Sequence, residues 1–173
     1  MVLQRIVSGG QTGVDRAALD AALDAGLQIG GWCPRGRRAE DGRVPDRYPL
    51  VETAARSYAV RTEWNVRDSD GTLILVHDDV SSGTRLTITM ARRQQRPLTV
   101  VHLRPATDGL FDDTTDTANQ LQDVVAWLNE HQIEVLNVAG PRASSNAAIY
   151  EDARQFLSAL LKTQRRNHLS PSE

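Results

Sequence analysis

Ile6-Val7-Ser8-Gly9-Gly10-Gln11-Thr12-Gly13-Val14-Asp15-Arg16 starts as an apolar strand, turns through three glycines and enters a helix. Behind it Val14, Ala17, Ala18, Ala21, Ala22 and Ala25 recur at spacings of three and four, and Gly26 stands where a helix C′ glycine belongs. A strand followed by a tight turn and an amphipathic helix is the opening half of a βαβ unit, which predicts a parallel sheet. The stripe is almost all alanine, so this helix is expected to lie close against its neighbours.

The same alternation continues outward. Further short apolar runs over Gln28–Cys33, Thr72–His77, Leu98–Leu103 and Glu134–Val138 read as strands, with Arg5–Ser8 as the first. Between them lie helical patterns: Ala118, Leu121, Val125 and Leu128 form one face, and Ile149, Ala153, Phe156, Leu157 and Leu160 another. A shorter helix follows Gly83-Thr84 and carries Leu86, Met90 and Arg93 before Pro97. Right-handed crossovers place such helices on both sides of one sheet. The expected fold is α/β: a Rossmann-like, doubly wound, mainly parallel sheet of five strands or slightly more, with helices on both faces. It occupies residues 1–163 as one domain, and 164–173 read as a polar, disordered tail. Gly30–Pro49 and the acidic Arg104–Asp116 read as long loops.

Composition narrows the function. The 173 residues carry 20 basic and 22 acidic side chains, a net charge of −2, which argues against a nucleic-acid or membrane-surface partner. Lys162 is the only lysine, so nearly every cation is an arginine, whose planar fork suits phosphate. Cys33 is the only cysteine, which excludes an intramolecular disulfide and a cysteine-cluster metal site. No run has signal-peptide or bilayer-spanning character, and a cytoplasmic location is expected.

In a parallel sheet the β-to-α turns gather at the carboxyl edge, where ligands bind. Gly9, Gly10, Gln11, Thr12 and Gly13 form the first such turn; glycines allow a phosphate close to the backbone, and the helix start adds free N–H groups. Asp15 and Arg16 lie in that helix's first turn. The alternative is plain capping, with Thr12 as N-cap and Asp15 at N3. The turn Ser81-Ser82-Gly83-Thr84 adds hydroxyls and a second helix start, or is an ordinary N-cap. Gly140-Pro141-Arg142-Ala143-Ser144-Ser145 brings a guanidinium and two serines, or is a tight turn with a solvated arginine. The loop from Gly31 to Gly42, with Arg35 near its start, can fold over the same place as a lid, or neutralise itself on the surface through Glu40, Asp41 and Asp46. His77 and His102 end neighbouring strands without the spacing of a metal site. No nucleophile–base pair stands out.

Four segments carry a family resemblance: Ser8–Asp20, Gly31–Gly42, Arg61–Thr72 and Asn137–Ser144. Through them the chain resembles the molybdenum cofactor carrier proteins, part of a wider Rossmann-like group with the cytokinin phosphoribohydrolases (once labelled lysine decarboxylases) and nucleotide-sensing domains. The resemblance implies a homo-oligomer, dimer or tetramer, that holds molybdopterin, a pterin bearing a phosphate, and can pass it to molybdoenzymes. The related hydrolases have P-G-G-x-G-T-x-x-E at the second turn. Here Gly83-Thr84 is kept, Ser81-Ser82 precede it, and Thr87 stands in the glutamate's place. A threonine is no general acid or base near neutral pH, so the expected protein binds its ligand without cutting it. The alternatives are a phosphoribohydrolase-like enzyme on nucleoside monophosphates, with Asp15 as its acid, and a nucleotide sensor.

Overall fold

The structure is a computed structural model and describes residues 3–77, 80–104 and 113–169. Along the chain, β1 (Arg5–Val7), α1 (Val14–Asp24) and β2 (Gln28–Gly30) form the first unit. Four two-residue strands follow: β3 (Trp32–Cys33), β4 (Arg38–Ala39), β5 (Gly42–Arg43) and β6 (Val51–Glu52). Then come α2 (Tyr58–Arg67), β7 (Gly71–Val76), α3 (Ser82–Arg93), β8 (Leu98–His102), α4 (Asp113–Glu130), β9 (Val135–Ala139) and α5 (Ile149–Leu169).

The five longer strands form one wholly parallel sheet in the order β2-β1-β9-β7-β8. Ile6 is in register with Ile29 on one side and Leu136 on the other. The crossovers β1–β2 and β8–β9 run one way across the sheet, and β2–β7 and β7–β8 the other. Right-handedness therefore puts α1 and α4 on one face and α2 and α3 on the other. The contacts agree, since α5 packs on α1 and α4 while α2 packs on α3. At the carboxyl ends of β9 and β7, neighbouring strands send their chains to opposite faces. That divergence is the topological switch point, where a crevice opens.

Interior strand β7 is buried along its whole length, and its Leu73 and Leu75 share a core with Leu136, Val138 and the α1 alanines. Ala17, Ala18, Ala21 and Ala22 are buried, and α1 and α5 make the most extensive helix–helix contact in the molecule, as the alanine stripe requires. The expected α5 stripe is likewise buried.

Three segments differ from the sequence reading. Helix α2 was not anticipated, because its buried positions are Thr62, Asn65 and Val66, with too few apolar residues for a periodic signal. Asn65 clips it to the strand side by accepting from the Trp32 N–H (2.8 Å) and donating to the Trp32 carbonyl (3.0 Å). Helix α5 continues to Leu169, so Gln164–Leu169 extend a helix instead of starting a loose tail; Gln164 is buried near Leu161. The expected acidic loop lies largely in residues 105–112, outside the described residues, and α4 begins at Asp113.

The arginine-rich segment after β2 is organised from within. Arg37 is buried and donates to the carbonyls of Val44 (3.2 Å), Pro45 (3.0 Å), Tyr48 (2.9 Å) and Leu50 (3.0 Å). Asp20 of α1 anchors the segment by accepting from the hydroxyls of Tyr48 (2.8 Å) and of Tyr150 on α5 (2.7 Å). Burial, and then the Asp20 carboxylate, push the Tyr150 phenol up to about 12 and raise Tyr48 as well. A phenol raised by folding stabilises the native state fully below its ordinary value, and that contribution vanishes as pH rises from about 10 to about 12. Denaturant unfolding should show stability falling across this window, with Tyr150→Phe removing part of the slope.

Candidate ligand site

A cavity of about 280 Å³ opens at the switch point. Four elements supply its wall. The β1–α1 turn contributes Gln11; α2 contributes Tyr58, Arg61 and Thr62; α3 contributes Gly83 and Leu86 with Ser81 and Ser82 at its start; the β9–α5 loop contributes Gly140, Arg142, Ser144 and Ser145. The α2 trio stands at i, i+3 and i+4, which is one helix face. The three turns singled out in the sequence therefore meet in one place, and α2 completes the fourth side.

The start of α3 faces the cavity. Ser81 is its N-cap, accepting from the Thr84 N–H through its side chain. The first helical residues, Ser82 and Gly83, stand in the cavity wall at the positive end of the helix dipole. A side chain added at Gly83 would meet open space. Arg142 lies over the Tyr58 ring, 5.3 Å from its centroid, and Arg38 approaches the same ring at 5.8 Å. Thr84 is buried beneath, its hydroxyl 2.9 Å from that of Ser81. Buried Thr87 donates its hydroxyl back to the Gly83 carbonyl (3.2 Å).

The glycine-rich first turn spends several of its N–H groups within the protein. The N–H of Gln11 is taken by Asp15 (3.2 Å), that of Thr12 by the Gln11 side-chain oxygen (3.1 Å), and that of Val14 by the Pro141 carbonyl (3.2 Å). Its glycines admit other parts of the protein. A methyl group at Gly9 would overlap the Arg61 guanidinium, and one at Gly13, whose φ is 78°, would overlap the Pro141–Ala143 backbone. Gly10 lies against Val44 and Leu50 of the arginine-rich segment. Gly13, not Thr12, is the N-cap of α1, and no side chain caps it. The turn is a junction on which α2, the β9–α5 loop and the arginine-rich segment are assembled.

Beneath it Asp15 is 3 % exposed and pairs with Arg61 (3.1 Å). Burial pushes its carboxyl up, against the opposing pull of Arg61 and the Gln11 N–H. Arg16 donates to the Gly10 carbonyl (3.1 Å) and forks onto Asp41. Thr12 accepts from the Ala143 N–H (3.2 Å) and donates to Glu40. Glu40 also receives the N–H and hydroxyl of Ser144. Burial works against its charge, yet these hydroxyl donors hold Glu40 below the usual carboxylate range. The tip of the β4–β5 hairpin is thus latched across the first turn and the β9–α5 loop.

Of the residues singled out from sequence, Gln11, Ser82, Gly83, Gly140, Arg142 and Ser144 stand in the wall. Gly9, Gly10, Thr12, Gly13, Asp15, Arg16 and Thr84 lie behind it or brace it, and Arg35 lies outside it, exposed, with its backbone bonded to Ala55. Sequence reasoning missed Tyr58, Arg61 and Thr62, because α2 itself went unrecognised, and it read Leu86 only as part of the helix after Gly83-Thr84; the signal available on α2 was a tyrosine and an arginine three apart ahead of a strand. His77 is committed elsewhere, with Asp152 at 2.9 Å and Asn146 at 2.6 Å on its two ring nitrogens. No cluster of metal-ligating side chains occurs among the described residues, and no helix among them is long and apolar enough to cross a membrane.

A five-stranded parallel sheet with helices on both faces and a crevice at its switch point defines a Rossmann-like α/β protein. The sequence model of the circularly permutated YpsA SLOG family matches residues 6–161, and the chain belongs to that family. It is also similar to a solved protein from Syntrophus aciditrophicus SB named "Putative molybdenum carrier protein". The two are 41% identical with a TM-score of 0.84, over 92% of this chain and 96% of the other. No curated protein matches.

Proposed function

We propose that the protein holds a phosphate-bearing heterocycle in this cavity, as a carrier or store of the molybdenum cofactor. The observation that carries the reading is the convergence of the α3 start, Arg142 and Arg61 on one 280 Å³ cavity with an aromatic wall at Tyr58. The α3 N–H groups and Arg142 suit the phosphate, and the Tyr58 ring suits a planar heterocycle. The name of the Syntrophus protein supports the choice of ligand.

Two features favour holding over cutting. Thr87, in the place of the related hydrolases' glutamate, is buried with its hydroxyl turned into its own helix. Asp15, the acid an enzymatic reading would recruit, is buried under the first turn with Arg61 on it. Delivery to a molybdoenzyme and assembly as a cytoplasmic homo-oligomer belong to the same proposal.

The test is a titration of the intact protein with a phosphorylated pterin and with the same pterin lacking the phosphate. Binding should need the phosphate, and Arg142→Ala should weaken it about 10- to 100-fold, the worth of a charged hydrogen bond. Equal binding of both pterins, or an unaffected Arg142→Ala protein, overturns the proposal.

A further inference from the structure

Gln11 and Arg61 hold two buried polar atoms without a hydrogen-bond partner, Gln11 Nε2 and Arg61 Nε, and both residues stand in the cavity wall. Gln11 is 4 % exposed. Its Oε1 accepts from two backbone N–H groups, those of Thr12 (3.1 Å) and Glu40 (2.9 Å). Two converging donors fix the flip of the amide, so the end left unpaired is the NH2 group, a pure donor. Arg61 is similarly held, with Nη1 on Asp15. Buried donors are rarely left unpaired, and here both belong to residues that line the same cavity.

The electrostatics of this floor differ from those of the α3 wall. Asp15 neutralises Arg61, so the floor offers N–H groups with little net charge. A dianionic phosphate gains little from such a surface; a neutral oxo group beside a ring nitrogen matches it. An exocyclic amine in the same place would set donor against donor.

Resting on the reading of the cavity as a site for a phosphorylated heterocycle, we infer that Gln11 and Arg61 are its specificity floor. They select a fused heterocycle whose buried edge carries only acceptors, such as the oxo-and-nitrogen edge shared by guanine and pterin, over the amino edge of adenine. Glu40 takes part as a positioning group, since its backbone N–H holds the Gln11 amide in the selecting orientation.

The experiment compares binding of guanosine 5′-monophosphate, a phosphorylated pterin and adenosine 5′-monophosphate to the intact protein by calorimetry. At least one oxo-edged ligand should bind about 10-fold or more tighter than the adenine nucleotide. Gln11→Glu keeps the shape and the Oε1 contacts but presents an acceptor; it should erase or reverse that preference. Should Gln11→Glu fail to fold, Gln11→Leu serves instead and should flatten the ratio. An adenine nucleotide bound as tightly as both others, or a ratio unmoved by substitution at Gln11, overturns this inference and leaves the phosphate reading standing. Failure of all three ligands to bind removes both.

Discussion

Arg61→Leu is expected to destabilise the protein by about 3–5 kcal/mol near neutral pH, the usual consequence of stranding a buried charge. Asp15 is almost wholly buried, and Arg61 is the cation that answers it, assisted by the Gln11 N–H. Burial already raises the Asp15 carboxyl while Arg61 pulls it down. Without Arg61 the folded-state value climbs further above the unfolded one. A carboxyl raised in this way binds its proton in the folded state, so the penalty is felt above the raised value and lifts as pH falls below it. Urea unfolding of Arg61→Leu should therefore show a much smaller deficit at about pH 5 than near neutrality. The double variant Asp15→Asn with Arg61→Leu should recover most of the loss at neutral pH, because an amide can still accept from the Gln11 N–H and carries no charge. A pH-independent deficit, or a double variant as weak as the single one, would show that Arg61 acts by packing alone.

The sheet was legible because its signals are local. Each of the five expected runs overlaps one strand of the sheet, since β-branched and leucine-rich stretches bounded by glycine or proline can do little else in a chain this size. The strand order was not legible: β9 enters between β1 and β7, and nothing in a single sequence states which edges meet. The site was half legible. Turn composition picked out the α3 start and the β9–α5 loop, and the structure brings both to the wall of one cavity. The same logic did not foresee that Gly9 and Gly13 make room for Arg61 and the Pro141–Ala143 backbone. A glycine reports that something approaches closely, and only the structure says what. Helix α2 hid for a related reason: its buried face is polar, so Arg61 had no periodic frame to place it in.

The arginine-rich segment after β2, here the lid of the first turn, supplies the second large effect. Arg37→Leu should cost about 3–5 kcal/mol, since it removes charge-assisted bonds to four carbonyls and strands them in a buried setting. The neighbouring Arg35 is exposed, and Arg35→Ala should change stability by only a few tenths of a kcal/mol. Composition alone makes the two arginines look alike; what separates them is that Val44, Pro45, Tyr48 and Leu50 wrap around one of them. The loss need not be global, because residues 34–53 touch the core mainly through Val44, Tyr48 and Leu50, which pack with Leu19 and Cys33. Hydrogen exchange should locate it, with protection lost first at the Val44 and Leu50 amides, which bond within the segment. Arg37→Lys, with one compact ammonium in place of a fork, should fall between. The effect should also reach the cavity. Glu40 rides on this segment, and once it leaves, Ser144 and Thr12 lose their carboxylate and the Gln11 oxygen loses the Glu40 N–H. The Gln11 amide is then held by Thr12 alone and can turn, so ligand discrimination should weaken in Arg37→Leu even at temperatures where the sheet stays folded. Intact discrimination in a variant whose lid exchanges freely would separate the lid from the floor and leave Thr12 as the group that sets the amide.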